Sequence, residues 1–502
     1  MSDPEPGIGT ASGSTETAGG SEADARTRIL GAGAYVPSAG LPREAVVDAW
    51  GRSRARGVDA VAVPAPDEDA LTMGVAAAER ALSAAGIDAG DLAGLAFATT
   101  TPPLAEEDLL PRLGAALGVP ADARTHYVGR STRAGTRALR AARDAGAVPA
   151  LVVAADAPPA APNSPEGHAA GAGAAAVVLG PGSGHGARLA GDAEAAADYP
   201  GTRFRRVGRE ETEGLGVTTY DRAAFTRPIR AAVDLLGDEA DGPAPSEAAA
   251  LAMTAPDGDL PARAARAVGL DADAVSTPVE TLGDTGAAGP LLGLAAALRE
   301  GATPTLVVGW GSGAGADAVV VDGLAPVEGD LDTDRELSYP AALRRRGEIT
   351  GDEPPAGGGA AVSVPTWRRS QPARYGLLAG RCPDCGALAF PPEGACPDCH
   401  GLVSYESVRL PTEGVIETVT GVSPGGAPPE FARQAERGGD YAVAIVRFER
   451  DGAAASVPLQ VTDADPDAVE AGDPVRAVFR RIYEQEGVVR YGRKALLASE
   501  DR

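Results

Sequence analysis

The chain has 502 residues, enough for two or three domains and a large buried core. Its 70 acidic residues outnumber 45 basic ones and give a net charge of −25, which argues against a general nucleic-acid or anionic-membrane surface. No run approaches the roughly 18 apolar residues of a membrane span. No charged segment followed by an apolar one opens the chain, so the cytoplasm is the default expectation.

Residues 1–26 are rich in Gly, Ser, Thr and acids and nearly devoid of large apolar side chains, so a disordered acidic tail is expected there. From 27 to 323 short apolar runs alternate with amphipathic, alanine-rich stretches. Strands are expected near 94–99, 150–155, 174–179, 305–308 and 318–321, and helices near 70–85, 132–145, 261–268 and 288–298. That alternation indicates a layered α/β domain. "LVVAAD" (151–156) followed by "AGAAAVVL" (172–179) is echoed by "LVVGWG" (306–311) followed by "AGADAVVV" (314–321), which suggests two similar halves. Residues 324–371 turn acidic and then Pro/Gly-rich and read as a linker and extension.

All four cysteines lie in "RCPDCGALAFPPEGACPDCHG", spaced C-x2-C-x10-C-x2-C. Cys382, Cys385, Cys396 and Cys399 can close a tetrahedral zinc site, two ligands from each tight turn. Four protein ligands leave no open position, so the zinc is structural. His400 is expected beside the ligands or facing solvent. A zinc ribbon over 372–404 is followed, over 405–502, by "GVIETVTGV", "YAVAIVRFER", "AASVPLQV" and "PVRAVFRRIY". These alternate apolar with polar residues between Gly, Pro and Asp turns, the pattern of a small OB-fold β-barrel.

Several stretches resemble the archaeal type of 3-hydroxy-3-methylglutaryl-CoA (HMG-CoA) synthase, of the thiolase superfamily. They are "GAGAYVPSAGLPREAVVDAWG", "VPAPDEDALTMGVAAAERALSAAGID", "STRAGTRAL", "AMTAPDGDLP", "LGDTGAAGPLLGLA" and "LSYPAALRRRGEI". The C-terminal part, in "GRCPDCGALAFPP", "YAVAIVRF" and "VRYGRKAL", resembles the zinc-ribbon and OB-fold module that accompanies archaeal thiolases and HMG-CoA synthases. The resemblance implies a thiolase-like five-layer αβαβα domain joined to that module, a coenzyme A thioester as ligand, a thiolase-type partner subunit and a homodimer through the thiolase-like domain. Lys494, in the Tyr-Gly-x-Lys ending, is the single lysine beside 44 arginines. Acidic surplus with scarce lysine resembles proteins of salt-loving archaea; codon bias alone would explain the arginines but not the acidity.

The family reaction loads an acetyl group onto a cysteine and condenses it with acetoacetyl-CoA, helped by a histidine, an asparagine and a glutamate. Carried over motif by motif, the cysteine position is Thr132, the histidine position Thr254 and the asparagine position Asp284, with Thr100 the match for the glutamate. None keeps the family residue. A threonine needs a base to act as nucleophile, and an ionised aspartate cannot donate to an oxyanion. The expectation is therefore a non-catalytic relative that binds acyl-CoA or a thiolase partner as a scaffold or channelling subunit. The alternative is an active acyltransferase with rearranged chemistry through Ser131 or Asp284; a third is an interaction module that has lost CoA binding as well.

Arg130, Arg133 and Arg137 surround the start of the helix after Thr132 and either meet CoA phosphates or a carboxylate or form a solvated face. His126, His168 and His185 fall outside the motifs and read as ordinary surface or turn histidines. An OB-fold raises nucleic acid as a partner, but the acidity speaks against it.

Overall fold

The computed structural model describes residues 27–182, 185–239, 242–350, 363–423, 426–485 and 487–498. The tail expected at 1–26 lies outside them, as do residues 351–362 of the expected linker.

The small-residue runs of the sequence form one sheet. In chain order its main strands, beside a two-residue strand at Val327–Glu328, are β1 (Arg28–Tyr35), β2 (Gly94–Thr99), β3 (Arg124–Gly129), β4 (Ala150–Asp156), β5 (Gly173–Gly180), β6 (Ala187–Ala196), β7 (Ala250–Met253), β8 (Thr305–Gly311) and β9 (Gly315–Asp322). They lie in the order β3-β2-β4-β5-β1-β6-β9-β8-β7. β2, β4, β5 and β8 are buried at every position, as strands covered on both faces must be.

One pairing pattern occurs twice. β2 and β4 are parallel while β4–β5 and β5–β1 are antiparallel. Likewise β7 and β8 are parallel while β8–β9 and β9–β6 are antiparallel. The halves join where β1 meets β6 at Arg28–Arg188 and Ile29–Ala187. The two text repeats of the sequence therefore occupy equivalent places, β4–β5 and β8–β9.

Four helices complete the layers: α1 (Ala70–Ala85), α2 (Ala134–Ala145), α3 (Thr218–Glu239) and α4 (Gly289–Glu300). α2 and α4 bury Ala138, Leu139, Leu291 and Leu292 in one core with Val152 and Val177 of the first half and Val307 and Val319 of the second. They form the middle layer. α3 covers the outer face of the second half with Phe225, Ile229 and Leu236. α1 covers that of the first, started by a reciprocal cap in which Asp69 Oδ1 accepts from Thr72 N at 3.0 Å and Thr72 Oγ1 from Asp69 N at 2.9 Å. Its backbone lies so close to β1 that a Cβ on Gly33 would stand 2.2 Å from the Ala77 oxygen. The result is αβαβα.

The chain divides into two compact units. The first takes the described residues up to Val63 together with Asp69–Gly114 and Val119–Tyr339, past the boundary read at 323. The reason is strand pairing within 324–339: Val327–Glu328 runs parallel to β1, and Arg335–Glu336 parallel to Ala39–Pro42.

The second unit takes Pro64–Glu68, Ala115–Gly118 and the described residues from Pro340 on. Helix α5 (Val364–Gly376), which begins in the expected linker and runs into the stretch expected as ribbon, precedes β10 (Leu378–Arg381), β11 (Leu388–Ala389) and β12 (Glu406–Arg409), a small antiparallel sheet. Then come β13 (Glu413–Val422), β14 (Tyr441–Arg450), β15 (Ala453–Gln460), β16 (Pro474–Gln485) and β17 (Val488–Leu497) in the order β15-β14-β13-β16-β17. A bridge between Val461 and Ala495 brings the two edges of this sheet together into a nearly closed barrel. β14 turns Ala442, Ala444, Val446 and Phe448 inward at every second position, the strand period read from the sequence.

Lys494 is fully buried on β17. Its Nζ lies 2.9 Å from Asp67 Oδ2, which also accepts from Thr462 Oγ1 at 2.7 Å. Arg480 pairs with Glu68 at 2.9 Å, again with both side chains buried. Charges so deep are tolerable only because each has a counter-charge in contact.

Candidate functional site

β2 and β4 are parallel neighbours, so their C-terminal ends coincide, and Asp156 closes β4. Its carboxylate is completely buried and ringed by donors. The hydroxyls of Thr99, Thr100 and Thr101 reach it at 2.9, 2.8 and 2.9 Å, the backbone N–H groups of Thr100 and Thr101 at 2.6 and 3.0 Å, and that of Ala287 at 2.7 Å. So many donors offset the cost of taking a carboxylate out of water. The close approach requires glycine at 286, with φ of 55°, because a Cβ there would stand 2.2 Å from Asp156 Oδ2.

The same turn carries Asp284. Its Oδ1 accepts from Gly286 N at 2.9 Å, and its Oδ2 is paired with the Arg203 guanidinium, both side chains buried. Burial pushes Arg203 down to about 10; Asp156 and Glu166 oppose the shift and the like charge of Arg205 adds to it. Burial also lowers Arg205, with Asp156 opposing. Arg205 donates to the Thr100 carbonyl at 2.6 Å.

Thr132 precedes α2, and its hydroxyl donates to the Trp310 carbonyl at 2.7 Å. Thr254 lies across from it: Trp310 N donates to Thr254 Oγ1 at 3.4 Å, and that hydroxyl donates to the Thr132 carbonyl at 3.5 Å. Both threonines are buried. Four segments distant in sequence thus converge, linked through Asp156, Arg203, Arg205 and the Trp310 backbone. A carbonyl oxygen is no base, so among the described residues no bonded group activates the Thr132 hydroxyl. Ser131 Oγ accepts from Arg133 N at 3.4 Å, and among the described residues no imidazole or carboxylate bonds to it. His168 accepts from Arg54 N at Nδ1 (2.9 Å), and His185 is exposed.

Two cavities open on this centre. One, of about 410 Å³, is walled by Thr100, Thr132 and Ser131 and by Arg130, Arg203 and Arg205. The other, of about 260 Å³, shares Arg203 and is lined by Arg54, Arg56, Arg263, Asp284 and Trp310. Arg130 is exposed at the rim of the first. Arg133 is not available to a phosphate, which corrects the expectation for it. It is 1% exposed, holds Asp317 bidentately at 2.9 and 2.5 Å, and donates to Glu194 at 3.0 Å and to the Ala314 carbonyl at 3.1 Å. Arg137 lies 4.0 Å from Glu194. Sequence reading missed Asp156, Arg203 and Arg205. An acid ending the apolar run "LVVAAD" was a signal for the first; the arginines of "TRFRRV" carried none.

In the second unit Cys382 and Cys385 leave β10, and Cys396 and Cys399 form a matching turn. The Gly386 and His400 N–H groups donate back to the Cys382 and Cys396 carbonyls at 2.9 and 3.0 Å. Gly386 (φ 80°) and His400 (φ 58°) play the same part in the two turns, and His400 is exposed. The four Sγ atoms lie within 4.8 Å of one another, with Cys382–Cys399 at 3.8 Å and Cys385–Cys396 at 3.5 Å. Zinc–sulfur bonds of about 2.3 Å give a tetrahedron with edges of about 3.8 Å, so this set fits a zinc ion.

Comparison with known proteins places the four cysteines in a zinc ribbon and the rest of the chain among known families. Residues 369–403 match the family described as "ChsH2, rubredoxin-like zinc ribbon domain" and residues 407–480 the one described as "ChsH2, C-terminal OB-fold domain". The hydroxymethylglutaryl-CoA synthase of Methanopyrus kandleri is 32% identical over 315 residues, 58% of this chain and 86% of that protein. A "DUF35 domain-containing scaffold protein" of Methanocaldococcus jannaschii is 36% identical over 133 residues, 26% of this chain and 87% of that protein. A solved structure of MvaS in complex with 3-hydroxy-3-methylglutaryl coenzyme A has a TM-score of 0.54 at 20% identity, over 67% of this chain and 95% of that one, a likeness of fold. Fold and sites define a thiolase-like α/β protein with an appended zinc ribbon and OB-type barrel. More particularly, the chain belongs to the hydroxymethylglutaryl-CoA synthase family, fused to a C-terminal DUF35-type scaffold module. Among the described residues no helix is long and apolar enough to cross a membrane.

Proposed function

We propose that the protein is a non-condensing member of its family that binds acyl-CoA, a thiolase-type partner or both, as a scaffold or channelling subunit. One observation carries this reading. Where the family reaction calls for a thiolate, an imidazole and an amide, the chain has two threonines bonded to backbone and an aspartate tied to Arg203. A thiolate cannot be supplied from elsewhere in the chain, since all four cysteines sit in the ribbon. The cavity of about 260 Å³ is lined by five arginines and by five carboxylates, so the phosphate-bearing thioester rests on the family likeness rather than on the charge of the cavity. The scaffold role rests on likeness to the archaeal scaffold protein, and a dimer through the thiolase-like unit is proposed only because the family resemblance implies it.

The test is calorimetric titration of the full chain with acetyl-CoA and with acetoacetyl-CoA, each mixture then weighed by intact-mass spectrometry. Binding without a mass increment or release of free CoA is expected. A covalent acyl adduct would overturn the reading and place an acyltransferase nucleophile at Ser131, Thr132 or Asp284. An absence of binding, with a thiolase still co-purifying, would reduce the protein to an interaction module.

A further inference from the structure

The cleft of about 410 Å³ is walled by three guanidiniums, Arg130, Arg203 and Arg205, and by the hydroxyls of Ser131, Ser312 and Thr212; among the described residues no carboxylate lines it. Of the acids set against these arginines two are already committed, and the third, Glu166, does not line the cleft. Asp284 holds Arg203, and Asp156 is ringed by hydroxyl and backbone donors. Thr212 is 5% exposed, and among the described residues its buried Oγ1 has no hydrogen-bond partner. Such a group calls for a ligand that completes it. A volume near 400 Å³ falls within the roughly 300–1,000 Å³ of organic-ligand sites, which favours an organic molecule over a bare inorganic ion.

We propose that this cleft binds the carboxylate of a small organic acid, with Arg130 and Arg205 as the ion-pairing forks and the hydroxyls of Ser131, Ser312 and Thr212 as further hydrogen-bonding groups. A guanidinium presents two parallel donors that match the two oxygens of a carboxylate. An anion here also offsets the repulsion between Arg203 and Arg205, which together with burial holds Arg203 near 10. This assignment goes beyond the scaffold reading. It asks nothing of coenzyme A and stands or falls separately.

The experiment is calorimetric titration of the full chain, at constant ionic strength, with succinate, with the neutral isostere succinamide and with inorganic phosphate. It is repeated on Arg205→Leu and Arg130→Ala. Saturable succinate binding is expected, absent for succinamide and weakened about tenfold or more by either substitution. Arg205 is partly buried, so its variant is first checked by circular dichroism; Arg130 is exposed and carries the test if Arg205→Leu misfolds. No saturable succinate binding, equal binding of succinamide, binding of phosphate alone, or unchanged affinity in folded variants would each overturn the proposal. Acyl-CoA binding that persists through such a failure leaves the scaffold reading intact.

Discussion

Arg203 and Asp284 show how one pair of side chains redefines a site. A buried ion pair gains little over a well-packed apolar pair, yet removing one partner is costly because the other charge stays buried alone. Asp284→Asn, which writes in the amide that the family resemblance calls for, therefore strands Arg203. Equilibrium urea unfolding should show a loss of about 3 kcal/mol; an unchanged midpoint would mean that the pair contributes nothing. Asp67 allows a test by pH. Burial alone would raise its carboxyl, but Lys494 and Arg480 outweigh that and hold it below its ordinary 3.8. A carboxylate with a depressed folded pKa contributes stability that is fully present above the unfolded value and lost as pH falls through the folded one. The wild-type unfolding free energy should thus drop steeply as pH is taken below about 4, whereas Asp67→Asn should start lower at neutral pH and fall less steeply. Parallel curves for the two proteins would refute the assignment.

At the scale of elements, β1 and α1 show why the opening strand reads "LGAGAY". Large side chains at 31 and 33 would collide with helix backbone, with a Cβ on Gly31 only 2.5 Å from the Ala85 nitrogen. The zinc ribbon shows the opposite economy. β11 has two residues and β10 four, too few to be stable without the metal. One zinc per chain is expected by elemental analysis. Chelation should abolish hydrogen-exchange protection in β10 and β12, and Cys399→Ser should do the same without a chelator. Protection that survives metal removal would mean that packing alone holds the ribbon.

For the molecule as a whole, a net charge of −25 means that the folded chain repels itself. Salt screens that repulsion, with a Debye length of about 10 Å at 0.1 M falling to about 3 Å at 1 M. The thermal midpoint should therefore climb as potassium chloride is raised over that range, and climb most at the low end. A flat profile would show that the acidic surface carries little folding cost.

The layered α/β class, the two halves and the zinc ligands were legible in the sequence because each is written locally. Buried strands need unbroken apolar runs, "LVVAAD" and "LVVGWG" repeat because they fill equivalent places, and C-x2-C turns bring their own ligands together. Thr132, Thr254, Asp284 and Thr100 could be proposed from motif text, since each lies in a recognisable segment. What those residues face was decided by tertiary structure alone. Arg133 reads from sequence as open to phosphates, a carboxylate or solvent, and the carboxylate that it meets, Asp317, lies 184 residues away. Asp67 and Lys494 are 427 residues apart. A charge shows its type in the sequence and its role only in its partner, and chain folding, not local periodicity, chooses that partner.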